Sequence, residues 1–161
     1  MSVDMFMKVT GADGESQDSN HKGWTDIVSF QWGVTQPSSM FAGGGGGASK
    51  ASFQDLTVIA RIDKSLPSIL DKCARGDHLT KVEISVCKAG GTQIEYQKVT
   101  LSELVLITNV TITGASDDDH VMVHYGFQAA KIQNQYWEQS AQGGKGAESQ
   151  MAYNVKANAK G

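Results

Sequence analysis

The sequence predicts a mainly β fold: antiparallel strands closed into a two-sheet barrel or sandwich, with one flanking α-helix at about residues 65–75. Three observations predict it. Apolar and polar residues alternate with period two along most of the chain. Only two prolines interrupt that pattern. One segment alone changes to a helical period. The chain has 161 residues, of which 40% are hydrophobic, so residues 1–161 read as a single domain with a substantial core.

The elements follow in order. Val3, Met5, Met7 and Val9 alternate with Asp4, Phe6 and Lys8, a short first strand. Residues 11–22 are polar and turn-rich, a loop. Residues 25–36 predict a second strand with Val28, Phe30, Trp32 and Val34 on the core face, and Ile27, Ser29, Gln31 and Gly33 opposite. Residues 53–63 predict a third, carrying Leu56, Val58, Ala60 and Ile62. Leu66, Ile69, Leu70 and Cys73 then share one helical face. Ser65 suits its N-cap, Pro67 its first turn, and Arg75 with Gly76 its end.

Val82, Ile84 and Val86 form the next strand, and Gly90-Gly91 reads as a hairpin turn into Ile94 and Tyr96. The apolar phase slips near Ser102 and Glu103, which predicts a bulge or bend. Asp117, Asp118 and Asp119 make a turn. Val121, Val123, Tyr125, Phe127 and Ala129 line one face of a long strand, and Met151, Tyr153 and Val155 a last one.

One stretch breaks this economy. Gly43, Gly44, Gly45, Gly46 and Gly47 follow directly on Met40, Phe41 and Ala42, with Lys50 beyond. A glycine run loses more backbone entropy on ordering than any other sequence. Two bulky apolar side chains at its base would face water unless another surface covers them. Residues 38–50 therefore read as an extended glycine-rich arm that orders against a neighbour, and the feature points to assembly rather than catalysis.

Chemical motifs fail one by one. Net charge is −3, so a nucleic-acid footprint is absent and no nucleic-acid partner is expected. No apolar run is long enough to insert directly in a membrane. The N-terminal segment lacks the basic start and apolar block of a signal peptide. Ala48 and Ser49 separate the glycines from Lys50, so no phosphate loop forms, and neither GxGxxG nor GxSxG is present. His120 and His124 would stand roughly 13 Å apart on a strand, too far to share a metal ion. The aspartate turn has no EF-hand spacing. Cys73 and Cys87 read as two reduced thiols. Trp32 is in phase with Phe30 and reads as core; Trp24 and Trp137 fit no face and read as interface anchors. No catalytic set, metal or cofactor is expected.

Several segments together carry a family likeness: VDMFMKVTGADGES, FQWG, SSMFAGGGGGASKASFQDL, IDKSLPSIL, KAGG before EYQKVTL, and YNV. In this order and spacing the chain resembles the Hcp family, the hemolysin-coregulated proteins that build the tube of the bacterial type VI secretion system. The resemblance implies a β-barrel with a flanking helix. It implies homo-hexameric rings stacked into a tube, with a VgrG-type spike at the tip and a contractile sheath outside. It further implies assembly in the cytoplasm, release to the extracellular space without a signal peptide, and small effector proteins carried in the ring lumen.

By the same resemblance residues 38–50, including Met40, Phe41, Gly43 to Gly47 and Lys50, match the loop that reaches adjacent subunits and helps rings stack. FQWG matches a lumen-lining strand, which makes Ser29 and Gln31 the expected lumen contacts. The rival expectations are a ring-shaped carrier of exported cargo that need not stack, and a phage tail-tube-like protein of the same architecture.

Overall fold

The computed structural model describes residues 2–37, 50–89, 93–141 and 143–161. In chain order the elements are β1 (Val3–Val9), β2 (Thr25–Gln31), β3 (Val34–Thr35), β4 (Ser52–Phe53), β5 (Leu56–Arg61), α1 (Ser65–Arg75), β6 (Leu79–Lys88), β7 (Ile94–Thr113), β8 (Met122–Gln139), β9 (Lys145–Asn154) and β10 (Ala159–Lys160). The main sheet runs β10-β9-β8-β5-β2-β1-β6-β7, and β7 pairs back onto β8. That closure makes a six-stranded antiparallel barrel, β8-β5-β2-β1-β6-β7, with β9 and β10 continuing outward from the second half of β8.

Alternation explains the interior. Met7, Val9, Leu56, Val58, Ala60, Val82, Ile84, Val99, Leu101, Val105, Val123, Tyr125 and Phe127 all point inward and are buried. Small β-branched side chains dominate, as a narrow barrel requires. Helix α1 covers the barrel with Leu66 and Ile69 buried. Its end is as the sequence predicts: Gly76 is left-handed at φ 71°, and the Asp77 amide reaches the Lys72 carbonyl at 2.9 Å.

Six expectations need correction. Val28 is 50% exposed while Ile27 is 8% exposed, the reverse of the expected faces. The cause is a bulge between Ile27 and Ser29 in the pairing with β5. The extra residue returns Phe30 and Trp32 to the core side, so the alternation seen there does not extend back to Val28. Val34 is exposed because β2 ends at Gln31 and β3 pairs only with the short β4.

Ile62 and Val121 are exposed because they fall just outside β5 and β8. Leu70 is exposed at the margin of the helical face. Ser65 is the first helical residue rather than the cap: Asp63 Oδ1 accepts from its amide at 3.0 Å and its hydroxyl at 2.5 Å. The predicted slip near Glu103 is present, as a register shift between Ser102 and Val105 with Glu103 at φ 69°. Its consequence is that Leu104 and Leu106 face outward.

Candidate assembly surfaces

The glycine-rich arm starts from a defined stem. β3 and β4 pair antiparallel, Val34 opposite Phe53 and Thr35 opposite Ser52, and the Gln54 amide donates to the Gly33 carbonyl at 2.9 Å. Trp32 stacks on Phe53 with ring centres 6.3 Å apart, and Phe53 lies 5.3 Å from the Tyr153 ring. Aromatic contact fixes the stem to β9, so β3 and β4 leave from one rigid place. Lys50 is exposed beside it. Met40, Phe41, Gly43, Gly44, Gly45, Gly46 and Gly47 lie outside the described residues. Below the stem a cavity of about 140 Å³ is lined by Trp32, Phe53, Leu101, Phe127, Ile132 and Val155.

Ser29 and Gln31 lie on the outward face of the barrel, because Phe30 between them packs inward. Pairing places Ser29 opposite Ile59, Ile59 opposite His124 and His124 opposite Thr111. The next row runs Gln31, Thr57, Gly126, Asn109. This wall is polar, and most of its side chains are uncharged. At Gly126 the second bulge of β7 brings Thr108 close: an added Cβ would meet the Thr108 hydroxyl at 2.7 Å. Asp55 ties the wall together, its two oxygens accepting from Thr108 Oγ1 and Gln128 Nε2, each at 2.6 Å.

Two strand borders lack a strand neighbour among the described residues. β6 accompanies β7 only as far as Val105, so residues 106–113 pair with β8 alone. β10 meets β9 only at Tyr153 and Asn154, which leaves residues 145–151 paired with β8 alone. The borders lie on opposite margins of the long β7–β8–β9 ribbon. Leu106 and Ile112 are exposed on the first and Met151 on the second.

A third cluster was not legible in the sequence. Loop residues 10–24 fold over β1 and seat His21 on Phe6, the rings stacked 4.1 Å apart. His21 Nδ1 is 2.9 Å from Asp18 Oδ2, and Nε2 is 3.0 Å from Ser85 Oγ. The order Asp, His, Ser is that of a hydrolase triad, but Ser85 is fully buried and donates its hydroxyl proton to Glu95 Oε2 at 2.5 Å. A nucleophile must reach substrate and pass its proton to the histidine; Ser85 does neither.

Nearby, Glu83 meets Lys98 at 3.0 Å and Lys81 at 3.4 Å. Burial would raise its carboxyl, but the two ammonium groups outweigh burial and lower it. Burial raises the Cys87 thiol, and neither cysteine is bridged. No group of His, Cys, Asp and Glu suited to a metal occurs among the described residues. His124 stands on the outward wall and His120 in the turn before β8. Trp24 meets His21 edge-on at 4.9 Å, and Trp137 lies under the Lys145 ammonium at 3.7 Å, so each has an intramolecular contact.

This architecture has relatives among known proteins. A family described as "Type VI secretion system effector, Hcp" matches residues 6–136. The protein hcp1 of Pseudomonas aeruginosa is 37% identical over 160 residues, 98% of either chain. The crystal structure of Hcp1 from Salmonella typhimurium superposes with a TM-score of 0.83 at 28% identity, over 99% of both chains. A type VI secretion system effector from Yersinia pestis gives 0.77 at 28% identity, over 94% of this chain and 99% of its own. The barrel with its flanking helix is therefore that of a chain that belongs to the Hcp family of type VI secretion proteins.

Proposed function

We propose that this chain is the tube subunit of a type VI secretion system and assembles edge to edge into closed six-membered rings. The observation that carries this reading is the pair of unpaired strand borders, residues 106–113 and 145–151, on opposite margins of one ribbon. Apart from the Ile107 carbonyl, which accepts from Cys73 Sγ at 3.7 Å, such borders offer backbone donors and acceptors to a strand of another copy. Two different borders meeting from copy to copy form a heterologous contact, which closes into a ring when the rotation permits. Sixfold closure follows the Hcp resemblance. Native mass spectrometry tests it. The native chain is expected at six times 17.2 kDa. The doubly substituted Leu106→Lys, Ile112→Lys chain is expected as monomer with its barrel intact. A ring indifferent to both lysines removes the border from the interface.

The rings then stack into a tube with a VgrG-type spike at its tip and a contractile sheath around it, and contraction exports the subunit. The arm at residues 38–50 is the stacking device, with Met40 and Phe41 covered by an adjacent subunit and the glycines allowing close backbone approach. Its rigid stem supports this role. Deleting Gly43 to Gly47 is expected to shorten or abolish tubes, seen by electron microscopy, while single rings persist. The wall bearing Ser29, Gln31, Thr57 and Thr111 suits a ring lumen that holds small effector proteins. A Ser29→Trp change is expected to reduce co-purified cargo without altering ring mass. Equal cargo yield would exclude this wall as the lumen.

A further inference from the structure

The His21 cluster has a property that assembly does not use. Its proton count decides how well it is bonded. The Ser85 hydroxyl has one hydrogen and gives it to Glu95 Oε2, so His21 Nε2 must donate to Ser85 Oγ. Asp18 is held as a carboxylate: its pKa lies below the ordinary 3.8, chiefly through the His21 hydrogen bond. His21 Nδ1 must therefore donate as well. Only the doubly protonated ring satisfies both.

With one proton fewer, one of two things follows. If the proton on Nδ1 stays, Ser85 turns to Nε2 and Glu95 Oε2 loses its donor. If the proton on Nε2 stays, a ring lone pair faces the Asp18 carboxylate at 2.9 Å. Both outcomes leave a partly buried polar group without its partner.

We propose that His21 is a proton-operated clasp that fastens the β1–β2 loop to the barrel wall. Within the loop the Gly14 amide donates to the Gly23 carbonyl at 2.7 Å, Ser16 to Trp24 at 2.8 Å, and Trp24 to His21 at 3.1 Å; besides His21, the Thr10 amide on the Lys81 carbonyl at 3.1 Å and Glu15 Oε2, which accepts from the Lys64 amide at 3.0 Å, tie the loop to the rest of the fold. A cavity of about 310 Å³, lined in part by His21, Trp24, Cys87 and Glu95, gives water a path to the ring. The charged and titratable groups that face the cluster are Asp18 from the loop, Asp4 from β1, Cys87 from β6, Glu95 and Lys98 from β7, and Lys145 from β9, which pairs with Glu95 Oε1 at 3.1 Å. Acids outnumber bases in this set, which suits a cation at its centre. The clasp is complete while both ring nitrogens carry protons and loosens when one is lost, and pH is the lever because histidine is the side chain whose charge changes near neutrality.

The test is amide hydrogen exchange of the whole chain, corrected for intrinsic rates, at Gly14, Ser16 and Trp24. Their protection is expected to fall about tenfold between pH 5.5 and pH 8.5, the loss of one charge-assisted hydrogen bond. In His21→Phe, which keeps the stack on Phe6, protection is expected to be low and level across that range. An equal tenfold fall in His21→Phe overturns the proposal. Nitrogen NMR of the native imidazole is the second measurement and needs no variant: protons on both ring nitrogens at pH 5.5 are expected. A singly protonated ring at that pH overturns the clasp.

Discussion

Single side chains decide where this barrel tolerates change. Gly14 has no room for a methyl group: an added Cβ would meet the Thr25 hydroxyl and lie 2.5 Å from the Trp24 carbonyl oxygen, which is backbone and cannot swing aside. Gly14→Ala is expected to destabilise the fold by about 2 kcal/mol, the usual penalty for forcing an extra methyl into packed surroundings. Gly33→Ala meets only the movable Gln54 side chain, at 3.4 Å, and is expected to change stability by less than about 0.5 kcal/mol. Urea unfolding of both variants makes the comparison.

Charge sets a second residue-scale expectation. Against the burial that opposes it, Lys98 and Lys81 hold the Glu83 carboxyl below its ordinary 4.5. A carboxyl lowered by folding stabilises the native state above its unfolded value, and that contribution disappears as pH falls through the lowered one. Glu83→Gln is therefore expected to lose less stability than the native chain as pH is taken from 5 to 2, while being the weaker fold at pH 7. Thermal unfolding across that range checks it, and parallel acid limbs would remove Glu83 as a contributor.

At the scale of elements, strands and helix were legible because burial follows simple periods. Leu56, Val58 and Ala60 alternate and are all buried. Ile69 sits at the centre of the apolar helical face and is fully buried, whereas Leu70 at its margin is exposed. Ile69→Ala is expected to cost about 3 kcal/mol and Leu70→Ala less than about 1 kcal/mol, read from denaturant midpoints.

Legibility failed where a partner distant in sequence intervened. The bulge at Val28 depends on the register with β5, which alternation within β2 cannot reveal. Phe6 reads as a residue of the polar face, yet it is buried because a loop of polar composition lays His21 upon it. The N-cap of α1 falls on Lys64, one residue upstream of the serine that composition favours, and Ser65 instead bonds to Asp63. Among the site residues, Ser29 and Gln31 emerge on the outward wall as their phase requires. The His21 cluster stayed hidden because Asp18, Ser85 and Glu95 come from three separate elements.

At the scale of the molecule, the barrel closes six strands and, among the described residues, leaves two borders without a strand neighbour. An open border on a soluble protein is a liability unless something covers it. The Hcp relationship identifies the system in which this chain works. In the proposed ring each copy carries two unlike borders, so a chain of copies leaves none exposed only if it closes on itself. The same logic separates ring from stack, since the borders belong to the ribbon and the arm leaves from the β3–β4 stem. Changes at the borders are expected to abolish rings and tubes together; changes in the arm are expected to abolish tubes alone.

Amide hydrogen exchange along the two borders, compared between the assembled chain and the Leu106→Lys, Ile112→Lys monomer, tests this account most directly. Border pairing predicts that amides within residues 106–113 and 145–151 that exchange freely in the monomer become protected in the assembly, in both segments at once. Unchanged exchange in either segment on assembly would contradict it.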